Sequence, residues 1–209
     1  MEGLAMDIIT QAEKLVELGV PELAGMSPDE FRVAAAEADG GDGPSLLVVG
    51  PSLVPASRLA PLLQHAGKPG FVVTDMTDLD DFGPLPELDV PVSGLYTISK
   101  VTRGDDLLNW SPAEALPELL GRDRRPLTVN EGISWLLQEP EQLETGKCFM
   151  TIATRKPARR GNGLDARTPA IWISGGTGRD GKERKDAPKV GWCWHNNRHT
   201  WLGFASCAA

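Results

Sequence analysis

Three cysteines in 209 residues, Cys148, Cys193 and Cys207, are too few and too irregularly spaced for a disulfide scaffold, and an odd number cannot all pair within one chain. Free thiols in a reducing compartment are the expectation. No apolar run approaches the roughly 18–20 residues that a membrane span needs, and the acidic opening Met1-Glu2 lacks the basic start of a signal peptide. A cytoplasmic protein with no membrane partner is therefore expected. Basic residues are scarce in the first 146 positions, nine Lys/Arg against 25 Asp/Glu, whereas residues 147–209 carry 12 against four. With an overall charge of −8 the chain is not a basic nucleic-acid-binding domain. The basic segment 155–189, with Arg155, Lys156, Arg159, Arg160 and the run from Lys182 to Lys185, allows weak, salt-sensitive polyanion binding at most. Nucleic acid is not the expected partner, and the two halves are read as facing each other within one domain.

The chain then divides by its stop signals. Ile8, Ala12, Leu15 and Val16 recur at helical spacing after Asp7, with Gly19 and Pro21 as the stop. Ser27-Pro28-Asp29-Glu30 combines an N-cap, a first-turn proline and a capping-box glutamate, which opens a second helix running to Ala38. Gly40 to Pro44 reads as a linker, so residues 1–43 are expected to form a two-helix N-terminal segment ahead of a single domain, 45–209.

Leu46–Val49 and Phe71–Val73 are short strand runs with a helix from Ser57 to His65 between them, an order that suggests a parallel pair. Asp75 to Asp89 is a surface loop, and Val92, Leu95, Tyr96 and Ile98 suggest another strand. Ser111-Pro112-Ala113-Glu114 and Thr128-Val129-Asn130-Glu131 open two more helices, which should cover a sheet. Four strand runs follow, Cys148–Thr154, Pro169–Ser174, Val190–His195 and Thr200–Cys207. They read as an antiparallel meander with Asn196–His199 as a tight hairpin turn and Gly175–Pro188 as a mobile loop. The expected fold is α+β, or α/β: a mixed sheet with helices packed on one face and an N-terminal helical segment.

Chemistry concentrates in the last strands, from Lys189 to Cys207, which hold three of the six tryptophans and two of the three histidines. Alternation along a strand puts Cys193 and His195 on one face and Trp192 and Trp194 on the other. A thiol nucleophile at Cys193 would need His195 or His199 as its base. Cys193, His195, His199 and Cys207 are residue types that bind zinc, but their spacing matches no standard ligand set and no metal is favoured. Trp192, Trp194 and Trp201 are either core or the wall of a binding site. As core, Trp194 would cost about 3–5 kcal/mol on truncation to alanine.

Two further motifs carry little. Gly176 to Lys182 has P-loop spacing, but Glu183 stands where the magnesium-binding Ser or Thr belongs and no helix follows. Asp75, Asp78, Asp80 and Asp81 lack calcium-loop spacing. No cofactor is implied.

Leu127-Thr128 with Glu131-Gly132-Ile133, Pro169-Ala-Ile-Trp-Ile-Ser174, Gly191-Trp-Cys-Trp194, His199-Thr-Trp-Leu-Gly203 and Ser206-Cys207 give the chain a resemblance. From about Leu46 to Cys207 it resembles the actinobacterial proteins grouped as domain of unknown function 5701. The resemblance implies an actinobacterial, cytoplasmic origin and brings no activity or catalytic residues. The reading that follows is a non-enzymatic binding or adaptor protein for an unknown protein or small-molecule ligand. The alternative is an enzyme built on Cys193 with His195 or His199.

Overall fold

The computed structural model describes residues 6–38, 44–91 and 94–209; residues 40–43 of the expected linker and Val92 of the expected strand lie outside them. Helix α1 (Ile8–Glu17) is capped by the Asp7 carboxylate, which accepts from the Thr10 amide at 2.7 Å, and it buries Ile8, Ala12 and Leu15. After the short α2 (Val20–Ala24), α3 (Pro28–Glu37) begins with the expected Ser27–Glu30 capping box and packs on α1.

Among the described residues β1 (Ser45–Val49) pairs with a strand along one edge, and helix side chains bond to its other edge. The Gln11 side chain donates to the Ser45 carbonyl at 2.7 Å and accepts from the Leu47 amide at 2.8 Å. The Val49 amide donates to Ser134 Oγ at 3.0 Å, and Asn130 Nδ2 donates to the Val49 carbonyl at 3.0 Å. Edge groups left open in a buried strand would each cost the desolvation of an unpaired amide.

The expected helix from Ser57 to His65 is only α4 (Ala56–Leu59) plus a single 3-10 turn through Leu62. Pro61 removes a backbone donor there and cuts the helix short. Small ladders follow: β2 (Gln64–His65) with β3 (Lys68–Pro69), then β4 (Phe71–Val72) and β5 (Gly83–Pro84). β6 (Leu95–Ser99) pairs antiparallel with the other edge of β1, in register Ser45 to Ser99. The parallel pairing of 46–49 with 71–73 expected from the sequence therefore does not form.

The remaining elements are α5 (Pro112–Gly121), β7 (Arg124–Pro126), α6 (Val129–Gln138), β8 (Cys148–Met150), β9 (Thr154–Arg155), β10 (Arg167–Ile173), β11 (Pro188–Trp194), β12 (Leu202–Phe204) and β13 (Ser206–Ala208). The main sheet has the order β12-β8-β10-β11-β4, while β5 pairs with β9 and β7 with β13. The fold is α+β, with a mixed sheet, as expected. Helices cover both of its faces rather than one. α6, buried at all ten positions, lies against Phe149, Ile171 and Val190, and α5 packs Ala115 and Leu119 against Cys148, Met150, Ala170, Leu202 and Phe204 on the other side. Gly132 sets how closely α6 approaches: a Cβ there would stand 2.7 Å from Thr151 Cγ2 and 3.2 Å from the Phe149 ring. Among the described residues no helix is long and apolar enough to cross a membrane.

The C-terminal meander holds for three strands only. β8, β10 and β11 are antiparallel neighbours, but β12 joins the far edge parallel to β8. β11 and β12 are thus parallel to each other with two strands between them, and no tryptophan-rich hairpin exists. Parallel strands need a crossover rather than a tight turn. Residues 195–201 make it, with the Ala113 amide donating to the His195 carbonyl and the Asn109 amide to the His199 carbonyl.

Candidate functional site

The crossover separates residues that a hairpin would have gathered. Cys193 stands opposite Thr168 on the α5 side of the sheet, half-buried against the smaller apolar cluster. Burial pushes its thiol pKa up, only partly offset by the Trp194 amide and the Asn197 side chain. A nucleophilic thiol needs the opposite shift. Both histidines have other partners. His195 Nδ1 accepts from Arg155 Nη1 at 2.8 Å, and burial together with that guanidinium holds the imidazole below its ordinary value. His199 stacks on Trp201, with ring centroids 4.7 Å apart.

Cys207 is elsewhere, on β13 beside β7, where Sγ donates to the Arg125 carbonyl at 3.5 Å and burial pushes its pKa up to about 11. The four weak zinc candidates are not brought together. Among the described residues no group of three or more His, Cys, Asp or Glu side chains is placed to hold a metal ion.

The tryptophans divide by environment. Trp192 is half-buried against the main core, and Trp194 meets it edge-on at 4.5 Å but remains 47 % exposed. Trp201 is 44 % exposed and Trp110 36 %. Trp110 follows Asn109, whose amide binds the His199 carbonyl, so the loop before α5 and the crossover present their indoles from one connected region.

Beside Trp201 a cleft of about 310 Å³ opens, lined by Gly146, Lys147, Cys148, Trp172, Ile173 and Trp201. Trp172, half-buried, carries the Lys189 ammonium 4.7 Å from its ring centre. Lys189 Nζ donates to Asp180 at 2.7 Å, and Ser174 Oγ donates to the same oxygen at 2.8 Å. This buried carboxylate anchors the 175–187 connection, which was expected to be mobile and instead forms two 3-10 turns. Sequence reading missed Trp172, Lys147 and Lys189 as site residues. Alternation within Pro169–Ser174 was the available signal for Trp172, and nothing local marks the lysines.

Ion pairs join the acidic and basic parts of the chain. Asp78 accepts from Lys156 at 2.5 Å and from both terminal nitrogens of Arg167 at 3.0 and 2.6 Å. Both cations lie over the Phe82 ring. These contacts hold the Asp78 carboxyl far below the usual range, chiefly through the Arg167 hydrogen bonds. Two of the basic residues considered for polyanion binding, Arg155 and Lys156, are buried. Arg159 and Arg160 remain exposed.

Fold and cleft together define an α+β protein with a partly open aromatic site on the α5 face of its sheet. The chain belongs to DUF5701, a family of unknown function, which it matches over residues 14–209. The match begins within α1, well before the Leu46 start expected from the sequence motifs. No curated protein and no solved structure matches the chain.

Proposed function

We propose that this protein is a non-enzymatic binding protein, acting in the cytoplasm, that recognises its partner or ligand through Trp110, Trp194 and Trp201. The supporting observation is the exposure of all three indoles at more than a third of their surface: Trp110 and Trp201 flank the Asn109–His199 backbone contact, and Trp194 ends β11 where the crossover begins. Burying a large apolar side chain contributes roughly 1.5–3 kcal/mol, and tryptophan is enriched among the residues that dominate interfaces. A fold that leaves three such rings at its surface has that free energy in reserve for association. The three free cysteines fit a reducing compartment.

Affinity capture with the full chain, its Trp194→Ala/Trp201→Ala double variant and Cys193→Ala tests the reading. A partner held by the wild type and Cys193→Ala but lost from the double variant supports it. Identical capture by all three overturns it. The thiol-enzyme alternative is addressed by iodoacetamide: with its pKa pushed up, Cys193 should be alkylated at neutral pH more slowly than a free thiol such as glutathione.

A further inference from the structure

The cleft beside Cys148 supports a narrower statement, which rests on the binding reading above. Trp172 stands opposite Cys148 in the β8–β10 register, so both side chains leave the same face of the sheet. On the other side of β8, the Cys148 amide donates to the Trp201 carbonyl at 2.9 Å and so seats Trp201 at the start of β12. The two indoles therefore rise from backbones two strand spacings apart, about 9.5 Å. Trp172 leans toward Gly191 on β11 and Trp201 stacks on His199, and the surface each indole leaves to the cleft offers an aromatic ring a contact that a saturated ring of the same size does not gain.

Size and charge narrow the occupant further. At about 310 Å³ the cleft is at the small end of ligand sites, which run from roughly 300 to 1,000 Å³. One ring or two fused rings suit it better than a nucleotide. Lys189 over Trp172 is already paired with the buried Asp180, so the ammonium that an anionic substituent would meet is that of Lys147 on the rim. Lys147 is 46 % exposed and its partners Glu144 and Asp105 are 50 % and 42 % exposed. Such surface pairs are weak, and an incoming carboxylate can replace them. The floor, Cys148, is a buried thiol and presents no charge.

We propose that the cleft between Trp172 and Trp201 binds a small planar aromatic acid, its rings against the indoles and its carboxylate toward Lys147. Isothermal titration of the full chain with 2-naphthoate, 2-naphthamide and decalin-2-carboxylate provides the test. The expected result is saturable binding of 2-naphthoate with a dissociation constant of about 1 mM or tighter, and weaker binding of the other two. Trp201→Ala should weaken it at least about tenfold and Lys147→Gln about threefold, with Val33→Ala, at an exposed position of α3 remote from the cleft lining, unchanged. The first two substitutions are at exposed positions, which keeps folding intact. Absence of saturation, equal binding of the amide or the saturated acid, or indifference to Trp201→Ala overturns the proposal. If that happens while capture still depends on Trp194 and Trp201, the binding reading stands without this ligand class; if capture fails as well, both fall.

Discussion

Trp194 and Trp135 are the same side chain in opposite surroundings. Trp135 on α6 is 4 % exposed, meets the Phe149 ring at 5.5 Å, and donates its indole NH to Glu139 at 3.3 Å. Trp135→Ala should cost about 3–5 kcal/mol, through lost burial and the cavity left behind. Trp194→Ala should cost less than about 1 kcal/mol, as for surface substitutions in general. Urea denaturation of both variants checks the contrast. The sequence expectation of a large loss at Trp194 is thereby revised. Trp194 shares a face with Trp192, as alternation requires, but it stands at the last position of β11, where that face runs out of core to cover it.

At the scale of elements, the start of α6 is held by a buried network. Glu131 is fully buried, accepts from Arg125 Nη2 at 2.7 Å and Nη1 at 3.0 Å, and accepts from the Tyr96 hydroxyl at 3.1 Å. Its carboxylate also closes the capping box by accepting from the Thr128 amide at 2.6 Å. One side chain thus ties α6 to β6 and β7. Glu131→Gln removes the charge opposite a buried guanidinium, and such changes typically cost about 3–5 kcal/mol. A fall in the urea midpoint of corresponding size with an unchanged m-value is the expected observation.

The crossover offers a second element-scale prediction. His195 can accept from Arg155 only while neutral, and its pKa is lowered by burial and then by that guanidinium. Between the lowered folded value and the ordinary 6.5 the unfolded chain binds the extra proton, so stability falls as pH drops below about 6.5. Above that value the contribution is fully present. His195→Gln should flatten this part of the stability profile, and thermal unfolding across the range measures it. Further loss belongs to Asp78 and Asp165, whose lowered values make stability decline as pH falls below their ordinary 3.8.

For the whole molecule, the N-terminal helices share the main core. Ile8, Leu15, Val20 and Phe31 belong to the same buried cluster as β1, α6 and the sheet, and Lys14 Nζ donates to the Gln138 carbonyl at 2.6 Å. These contacts favour a single folding unit over the two-part division at 43 and 45. Removing residues 1–43 should therefore abolish or strongly weaken the cooperative thermal transition, since it uncovers both that apolar surface and the edge of β1. A truncated chain that melts cooperatively near the full-length temperature would restore the sequence-based boundary.

Local chemistry was sufficient to define what lies within one turn or one strand. The Ser27–Glu30, Ser111–Glu114 and Thr128–Glu131 capping boxes are all formed, because capping joins residues three apart and needs nothing else. The runs at β1, β6, β10 and β11 are strands for the same kind of reason, and a chain mixing these with helices gives an α+β fold. Partnership between distant elements was another matter. Whether β11 takes β12 or β4 as its second neighbour, whether β4 joins β1 or β11, and which tryptophans find cover depend on side chains far apart in sequence. Gln11 and Asn130 occupy the edge of β1, and β8 and β10 intervene between β11 and β12. The candidate site is a product of that second level: Trp172, Lys147 and Trp201 meet only because β8 comes between two strands that the sequence suggested were neighbours elsewhere.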